Sequence, residues 1–136
     1  MATALIIGLR YYAIVFSIAF ALGVARTLVI APALGATIAV LLEIPVLVIV
    51  SWLAARLLLK DRPFALWQSA TIGAFAFALT IASEVILAQL LRGQGITQWA
   101  ADVARPLGLI GLAGQIVFGL MPMMVGQGGA LTRAAP

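Results

Sequence analysis

Four long apolar stretches dominate this chain and decide what it can fold into. They cover residues of about 4–31, 33–59, 64–91 and 107–125, and few charged side chains interrupt them. About 20 apolar residues in a helix cross a bilayer, because each residue adds about 1.5 Å. Only 9% of the residues are charged, whereas soluble domains carry about 25%. We therefore predict an all-α polytopic membrane protein, a bundle of four transmembrane helices in a single domain over residues 1–126.

Proline and glycine separate the predicted helices. Pro32 and Gly35 predict a turn after the first helix, and the Asp-Arg-Pro sequence at 61–63 predicts a tight connector after the second. Gly93 and Gly95 end the third helix in the same way. These breaks favour short loops throughout the bundle.

A short polar segment lies between the third and fourth helices, at residues 97–105. It is too polar to span a membrane, and Trp99 and Val103 share one helical face because they are four residues apart. We expect a short interfacial helix here, lying along the membrane surface. The glycine-rich segment 127–136 is predicted to be a flexible C-terminal tail.

Basic and aromatic residues mark the expected membrane surfaces, where such side chains reach the headgroups. The predicted interfacial anchors are Arg10, Tyr11, Tyr12, Arg56, Lys60, Arg62, Trp67 and Trp99. Four crossings place both termini on one side, together with the connector after the second helix and five of the eight basic residues. Positive charge favours the cytoplasmic side. We therefore expect a multi-pass inner-membrane protein with both termini in the cytoplasm.

The residue types that usually carry catalysis are scarce. The chain contains no cysteine and no histidine, which excludes disulfides, thiolate chemistry and imidazole ligands to a metal or haem. No pair of carboxylates has metal-ligand spacing, and no glycine-rich loop follows a strand. The net charge of +4 is scattered singly, so no basic face for nucleic acid can form. We expect no catalytic residue, metal or cofactor, and no enzyme activity.

Four polar residues interrupt the apolar stretches at a similar depth. Counted from the nearest helix end at 1.5 Å per residue, they lie about 9–16 Å deep. Each shares a helical face with glycine or alanine, and such small residues allow membrane helices to approach closely. We therefore predict a polar layer inside the bundle, made of Arg26, Glu43, Glu84 and Gln115.

The polar layer has several interpretations. Arg26 and Glu43 form a structural ion pair between the first two helices, a substrate or proton site, or a contact between subunits; alternatively, Arg26 reaches the headgroups. Gln115 is expected to form a helix-packing hydrogen bond. One arginine opposes two acids, so we expect one acid to be protonated at neutral pH, and we assign the proton to Glu84. Pro45 predicts a kink, because it leaves the Leu41 carbonyl without its helical donor.

A spaced set of glycine, proline, aromatic and charged residues runs through the first two helices: Gly23, Arg26, Pro32, Gly35, Leu42, Glu43, Pro45, Ser51, Trp52 and Arg56. This pattern resembles an uncharacterised family of small four-helix bacterial inner-membrane proteins. The resemblance implies the fold and the location, and it implies no activity or functional residue. The size is also similar to that of small multidrug resistance transporters. Those have their key glutamate in the first helix, where this chain has Arg26 and no acid.

Three functions are compatible with this pattern. The leading hypothesis is a non-enzymatic accessory or scaffold subunit of a larger inner-membrane complex, or a homo-oligomer, because the loops are short and small residues line the helix faces. The first alternative is a small proton- or cation-coupled transporter that uses Glu43 and Glu84. The second alternative is a lipid or quinone binding protein. The expected partners are membrane lipids and either other membrane subunits or further copies of this chain.

Overall fold

The computed structural model describes residues 1–60, 62 and 64–133, with the side chains of the last helix described as far as Gly126. Within these residues the structure is entirely helical outside the connections, which confirms the all-α class. The helices are α1 (Ala2–Leu34), α2 (Ala36–Leu59), α3 (Leu66–Arg92), α4 (Ile96–Val103) and α5 (Pro106–Arg133). Four of them, α1, α2, α3 and α5, are long and apolar enough to cross a membrane.

The turn between α1 and α2 differs from the prediction. Pro32 lies within α1, which continues to Leu34, and the turn consists of Gly35 alone. Gly35 has φ of +85°, a conformation that side chains with a Cβ rarely adopt. The helix accommodates Pro32 by widening into a π-helical turn over Arg26–Ile30, in which the Ala31 N–H donates to the Arg26 carbonyl. Such a turn relieves the clash between a proline ring and the preceding turn of helix.

The other helix ends follow the sequence more closely. Gly93 ends α3 in the left-handed conformation, with φ of +64°. A short helix does follow, at Ile96–Val103. The last helix begins at Pro106 and continues to Arg133, beyond the predicted end at residue 125. Residues 127–133 are therefore helical where a flexible tail was predicted, and 134–136 lie outside the described residues. The predicted connector residues Asp61 and Pro63 also lie outside them.

The order in which the helices pack differs from their order in the chain. Helix α1 packs against α2 and α3, and α5 packs against the same two helices. The order around the bundle is therefore α1, α2, α5, α3. One end of the bundle, here called the N-terminal end, holds the start of α1 and the connection from α2 to α3. The other end holds α4, and is called the α4 end.

The core contains an aromatic side chain that was expected at the surface. The ring of Tyr11 is 0% exposed and packs in a cluster with Val15, Ala54, Ala55, Ala76, Phe118 and Met121. The prediction that Tyr11 anchors the protein at the headgroups is therefore wrong. A side chain with no exposed surface cannot contact lipid.

Tyr11 is buried because it satisfies a backbone group that a proline has freed. Pro122 lies inside α5 and has no N–H, so the Phe118 carbonyl loses its helical donor. The Tyr11 hydroxyl donates a hydrogen bond to this carbonyl at 2.9 Å. The Tyr11 and Phe118 rings are also stacked, with centroids 4.7 Å apart. An aromatic residue of α1 thus completes the backbone hydrogen bonding of α5.

Helices α3 and α5 approach each other most closely where two glycines meet. A Cβ atom on Gly73 would overlap the Gly119 carbonyl and lie 3.5 Å from the Pro122 ring. On the other side, a Cβ on Gly119 would lie 3.3 Å from the Phe77 Cβ. Close backbone contact of this kind holds membrane helices together through van der Waals packing. The predicted small-residue face of α3 is confirmed at Gly73, Ala76 and Ala88, which are all buried.

We predict that Tyr11→Phe lowers the free energy of unfolding by about 1–3 kcal/mol, because it leaves the buried Phe118 carbonyl without a donor. Tyr12→Phe is the matched control, since the Tyr12 hydroxyl lies 2.5 Å from a second hydroxyl, Ser83 Oγ, and is only partly buried. Reversible unfolding in mixed micelles measures both. Equal losses in the two variants would mean that the Phe118 carbonyl does not need Tyr11.

A second prediction concerns the glycine contact. Gly73→Ala should lower the free energy of unfolding by about 1–3 kcal/mol, because the new methyl group forces α3 and α5 apart. Gly111→Ala on α5 has open space around its Cβ, so it should be neutral or stabilising by up to about 1 kcal/mol. The same unfolding assay compares them, and a tolerated Gly73→Ala would contradict the close crossing.

Candidate functional site

The residues predicted as anchors lie mostly on the outside of the bundle. Arg10, Lys60, Arg62 and Trp67 are exposed, as is Arg56, whose guanidinium lies 4.6 Å from the ring centre of Trp52. Tyr12 and Trp99 are half-buried. Tyr12 contacts Ser83 of α3, and Trp99 lines a cavity under α4. These two side chains therefore have contacts inside the protein that the anchor interpretation did not foresee.

Arg26 and Glu43 meet across the α1–α2 pair. Arg26 opens the π-helical turn of α1, and its Nε atom lies 3.1 Å from Oε2 of Glu43 on α2. The Glu43 side chain is 14% exposed and the Arg26 side chain 37% exposed. The carboxylate is thus shielded more than the guanidinium. Of the two acids within reach of Arg26 by sequence, the structure pairs it with Glu43.

Glu84 and Gln115 meet across the α3–α5 pair. The Gln115 side-chain amide donates a hydrogen bond to Glu84 Oε1. The two residues lie on the α4 side of the Gly73–Gly119 contact, and the close approach of the helices there allows their side chains to meet. Gln115 was expected to form a helix-packing hydrogen bond, and its partner in this structure is Glu84 of α3.

All four residues of the predicted polar layer line one cavity between α1, α2, α3 and α5. The cavity, called the slot below, has a volume of about 530 Å³, within the range of about 300–1,000 Å³ typical of small-molecule sites. On α1 its wall extends from Val15 to Leu28, a distance of about 20 Å at 1.5 Å per residue. Toward the N-terminal end, most of its lining is apolar and includes Leu47, Val48 and Phe118. The slot is therefore polar at one end and apolar along most of its length.

The slot opens sideways between α1 and α3. Four of its lining residues, Phe20, Val24, Leu28 and Leu91, also have large exposed fractions, with Leu28 at 70% and Leu91 at 71%. Among the described residues, the end of α1 beyond Arg26 packs against α2 and not against α3. This set of four residues is called the lateral opening. It exposes hydrocarbon side chains at the edge of the slot.

A second cavity lies between the polar layer and α4. Its volume is about 420 Å³, and it is called the end cavity. It shares Arg26, Glu84 and Gln115 with the slot and adds Arg92, Trp99 and Asp102. Asp102 accepts a hydrogen bond from the Gln94 side chain at 3.0 Å and lies 3.5 Å from Arg105. The shared residues thus form a polar wall between an apolar slot and a charged cavity.

Helix α4 reaches the end cavity because the chain turns sharply into α5. A Cβ atom on Gly108 would overlap the Asp102 and Val103 carbonyl groups, so only glycine allows α4 to fold against the first turn of α5. Sequence reasoning placed 97–105 at the membrane surface and did not foresee that Asp102 lines a cavity with Glu84. Gly108, two residues after Pro106, was the sequence signal for this tight corner.

Other features of the site bear on chemistry. Among the described residues, no group of three aspartate or glutamate side chains is placed to hold a metal ion. Pro45 lies inside α2, on the exposed side of the helix, and lies two residues from Glu43. Thr80 also lines the slot, with its hydroxyl donating to the Ala76 carbonyl at 3.1 Å.

Comparison of the chain with protein-family models, curated proteins and solved structures found no match. The class that the fold defines is a helical bundle with four helices able to cross a membrane.

The pairing of Arg26 with Glu43 gives a testable energetic prediction. Arg26→Leu and Glu43→Leu should each leave an uncompensated charge, whereas the double change removes both charges and should be less destabilising than the two single losses combined. We expect a coupling energy of about 0.5–3 kcal/mol, measured by a double-mutant cycle of unfolding in mixed micelles. Additive losses would show that the two groups do not interact.

Proposed function

We propose that this chain is a non-enzymatic integral membrane protein that binds an amphipathic molecule taken up sideways from the lipid. The observation that carries the proposal is the slot itself. It joins a polar end, formed by the polar layer, to an apolar length with a lateral opening of exposed hydrocarbon side chains. A molecule with one polar head and one apolar chain matches this distribution.

Membrane insertion is the first part of the proposal. The exposed surface of the bundle carries large apolar side chains along every long helix, including Ile6, Leu41, Leu57, Leu90 and Leu120. Water does not solvate such a surface well, and contiguous exposed apolar area marks contact with lipid or another apolar partner. The four long helices have lengths suited to a bilayer.

The polar layer is costly in that setting. Inside hydrocarbon, charged groups persist when they pair with each other or face an internal cavity. Arg26 and Glu43 are within 3.1 Å of each other, and both line the slot. We infer that they form an intramembrane ion pair, which provides a polar attachment point at the end of the slot.

The orientation follows from the basic residues. The exposed residues Arg10, Arg56, Lys60 and Arg62 lie near the N-terminal end, and basic residues favour the cytoplasm. We propose an inner-membrane location with both termini cytoplasmic. The slot then lies in the half of the bundle farther from the cytoplasm, and α4 lies at the opposite interface.

A transporter is the second candidate function. The observation in its favour is that Arg26, Glu84 and Gln115 line both cavities, so an ion or ligand at the layer borders the slot and the end cavity together. Carriers place such groups near the midplane. The accessory or scaffold role stays a prediction based on the short loops, as does the absence of enzyme activity.

The binding proposal is tested by filling the slot. Gly23 lines it, and a Cβ built there meets no atom within 4 Å. Gly23→Leu should therefore fold normally, aided by the better helix propensity of leucine, while its side chain occupies the slot. Native mass spectrometry of protein purified in mild detergent should show a bound amphiphile in the parent chain that is lost in Gly23→Leu.

Ala25→Leu is the matched control. Ala25 lies two residues further along α1, is exposed and does not line the slot. This variant adds comparable apolar volume to the outside of the same helix and should retain the bound molecule. If Gly23→Leu keeps the same molecule at the same occupancy as Ala25→Leu, the slot is not the binding site.

A further inference from the structure

We propose that the molecule bound in the slot is a single-chain amphiphile with a cationic, hydrogen-bond-donating head, such as an alkylammonium, and that Glu84 holds this head. The inference rests on the proposed binding function and deepens it by naming the ligand class. Its basis is the charge arrangement around Glu84 and the shape of the slot.

Arg26 in the polar layer is paired with Glu43, whereas Glu84 is not in an ion pair among the described residues. The Arg26 guanidinium is engaged with Glu43 at 3.1 Å. The contact that Glu84 makes with a side chain is a hydrogen bond from a neutral amide, that of Gln115, and the ion pairs among the described residues do not include Glu84. Glu84 is therefore an acid at the wall of a cavity without a cation in direct contact.

Each helix packed around Glu84 contributes a charged or polar side chain to the two cavities that Glu84 lines. Arg26 comes from α1, Glu43 from α2 and Asp102 from α4, while α5 contributes the neutral Gln115. Asp102 already lies 3.5 Å from Arg105. Arg92, on α3 itself, is eight residues from Glu84, about 12 Å along the helix, and is exposed at the α4 end. Glu84 is therefore the acid of this group with no cation in direct contact, and a cationic ligand can take that place.

The charge of the ligand head decides how well it fits beside Glu84. An anionic head would add a second uncompensated negative charge beside Glu43 and Glu84, which is unfavourable away from water. A neutral head leaves an ionised Glu84 without a balancing charge. An ammonium head balances it and also donates hydrogen bonds to the Glu84 carboxylate, and charge-assisted bonds are stronger than neutral ones. When Glu84 is protonated in the empty site, binding releases that proton to solvent and replaces it with the ammonium.

The apolar length of the slot matches the alkyl chain of the ligand. From Glu84 the slot continues past Thr80 on α3 and Phe118 on α5, and is lined on α2 by Leu47 and Val48. Most of the lining side chains here are apolar, and the wall of the slot on α1 is about 20 Å long. An extended alkyl chain fits there with its head at Glu84. The lateral opening lets the chain enter from the lipid.

The experiment measures binding of three dodecyl probes that differ only in the head: dodecylammonium, dodecanol and dodecyl phosphate. The protein is reconstituted in lipid nanodiscs, and empty nanodiscs correct for partition into the bilayer. We expect dodecylammonium to bind at least about tenfold more tightly than dodecanol, the ratio for one charge-assisted hydrogen bond in a dry site. Dodecyl phosphate should bind most weakly.

Two variants connect this preference to Glu84. Glu84→Gln removes the charge and keeps the shape, so it should reduce the dodecylammonium preference to near equality with dodecanol. Asp102→Asn removes one negative charge outside the slot and should keep the preference. In the parent chain the preference should also fall as the pH is lowered, because a proton on Glu84 competes with the ammonium. That pH series tests the same point without any substitution.

The outcomes test the cationic ligand class and the binding function separately. Equal saturable binding of all three probes, or tightest binding of dodecyl phosphate, overturns the cationic ligand and leaves the binding function standing. A preference that survives both Glu84→Gln and low pH also overturns it. The absence of saturable binding by every probe overturns the binding function as well. A preference for dodecylammonium that is lost in Glu84→Gln and kept in Asp102→Asn supports both the cationic ligand class and the binding function.

Discussion

The contact between Gly73 and Gly119 is the constraint on which much of the bundle depends. It lets α3 and α5 approach until a Cβ on one helix would overlap the backbone of the other. Pro122, one turn further along α5, frees the Phe118 carbonyl close to the same contact. Tyr11 then fills the space on the α1 side and donates to that carbonyl. In an apolar interior this is how a backbone group left open by proline is satisfied.

The same close approach determines the partner of Glu84. Side chains on a helix lean toward its N-terminus, so Glu84 on α3 and Gln115 on α5 lean in opposite directions and meet on the α4 side of the glycine contact. Arg26 is drawn to the other side of the layer by the π-helical turn and by Gly35, which direct the end of α1 against α2. The polar layer therefore divides into two pairs. Arg26 and Glu43 form a pair of charged groups, and the Glu84 carboxyl pairs with the neutral amide of Gln115.

That division has a functional consequence. Because the end of α1 packs on α2, the surface between α1 and α3 stays open beside the layer, with Phe20, Val24, Leu28 and Leu91 exposed around it. A fully closed bundle would bury the layer and leave no room for a ligand. Here Arg26, Glu84 and Gln115 line the slot on one side and the end cavity on the other. The packing that brings the polar groups together thus also leaves the slot open at its side.

The sequence by itself determined the all-α class, four helices able to cross a membrane, the short helix after Gly95, and a common depth for Arg26, Glu43, Glu84 and Gln115, because length, apolar content and helical rise are local properties. It also indicated the small-residue face of α3. The tertiary structure decided the packing order α1, α2, α5, α3, the burial of Tyr11, the choice of Gln115 for Glu84 and the existence of the slot. Helices that are apolar on every side carry little information about which face meets which neighbour. From the sequence alone, a tyrosine near the start of a helix indicates a headgroup anchor. Tyr11 is buried instead because Pro122, on a distant helix, leaves the Phe118 carbonyl without its helical donor.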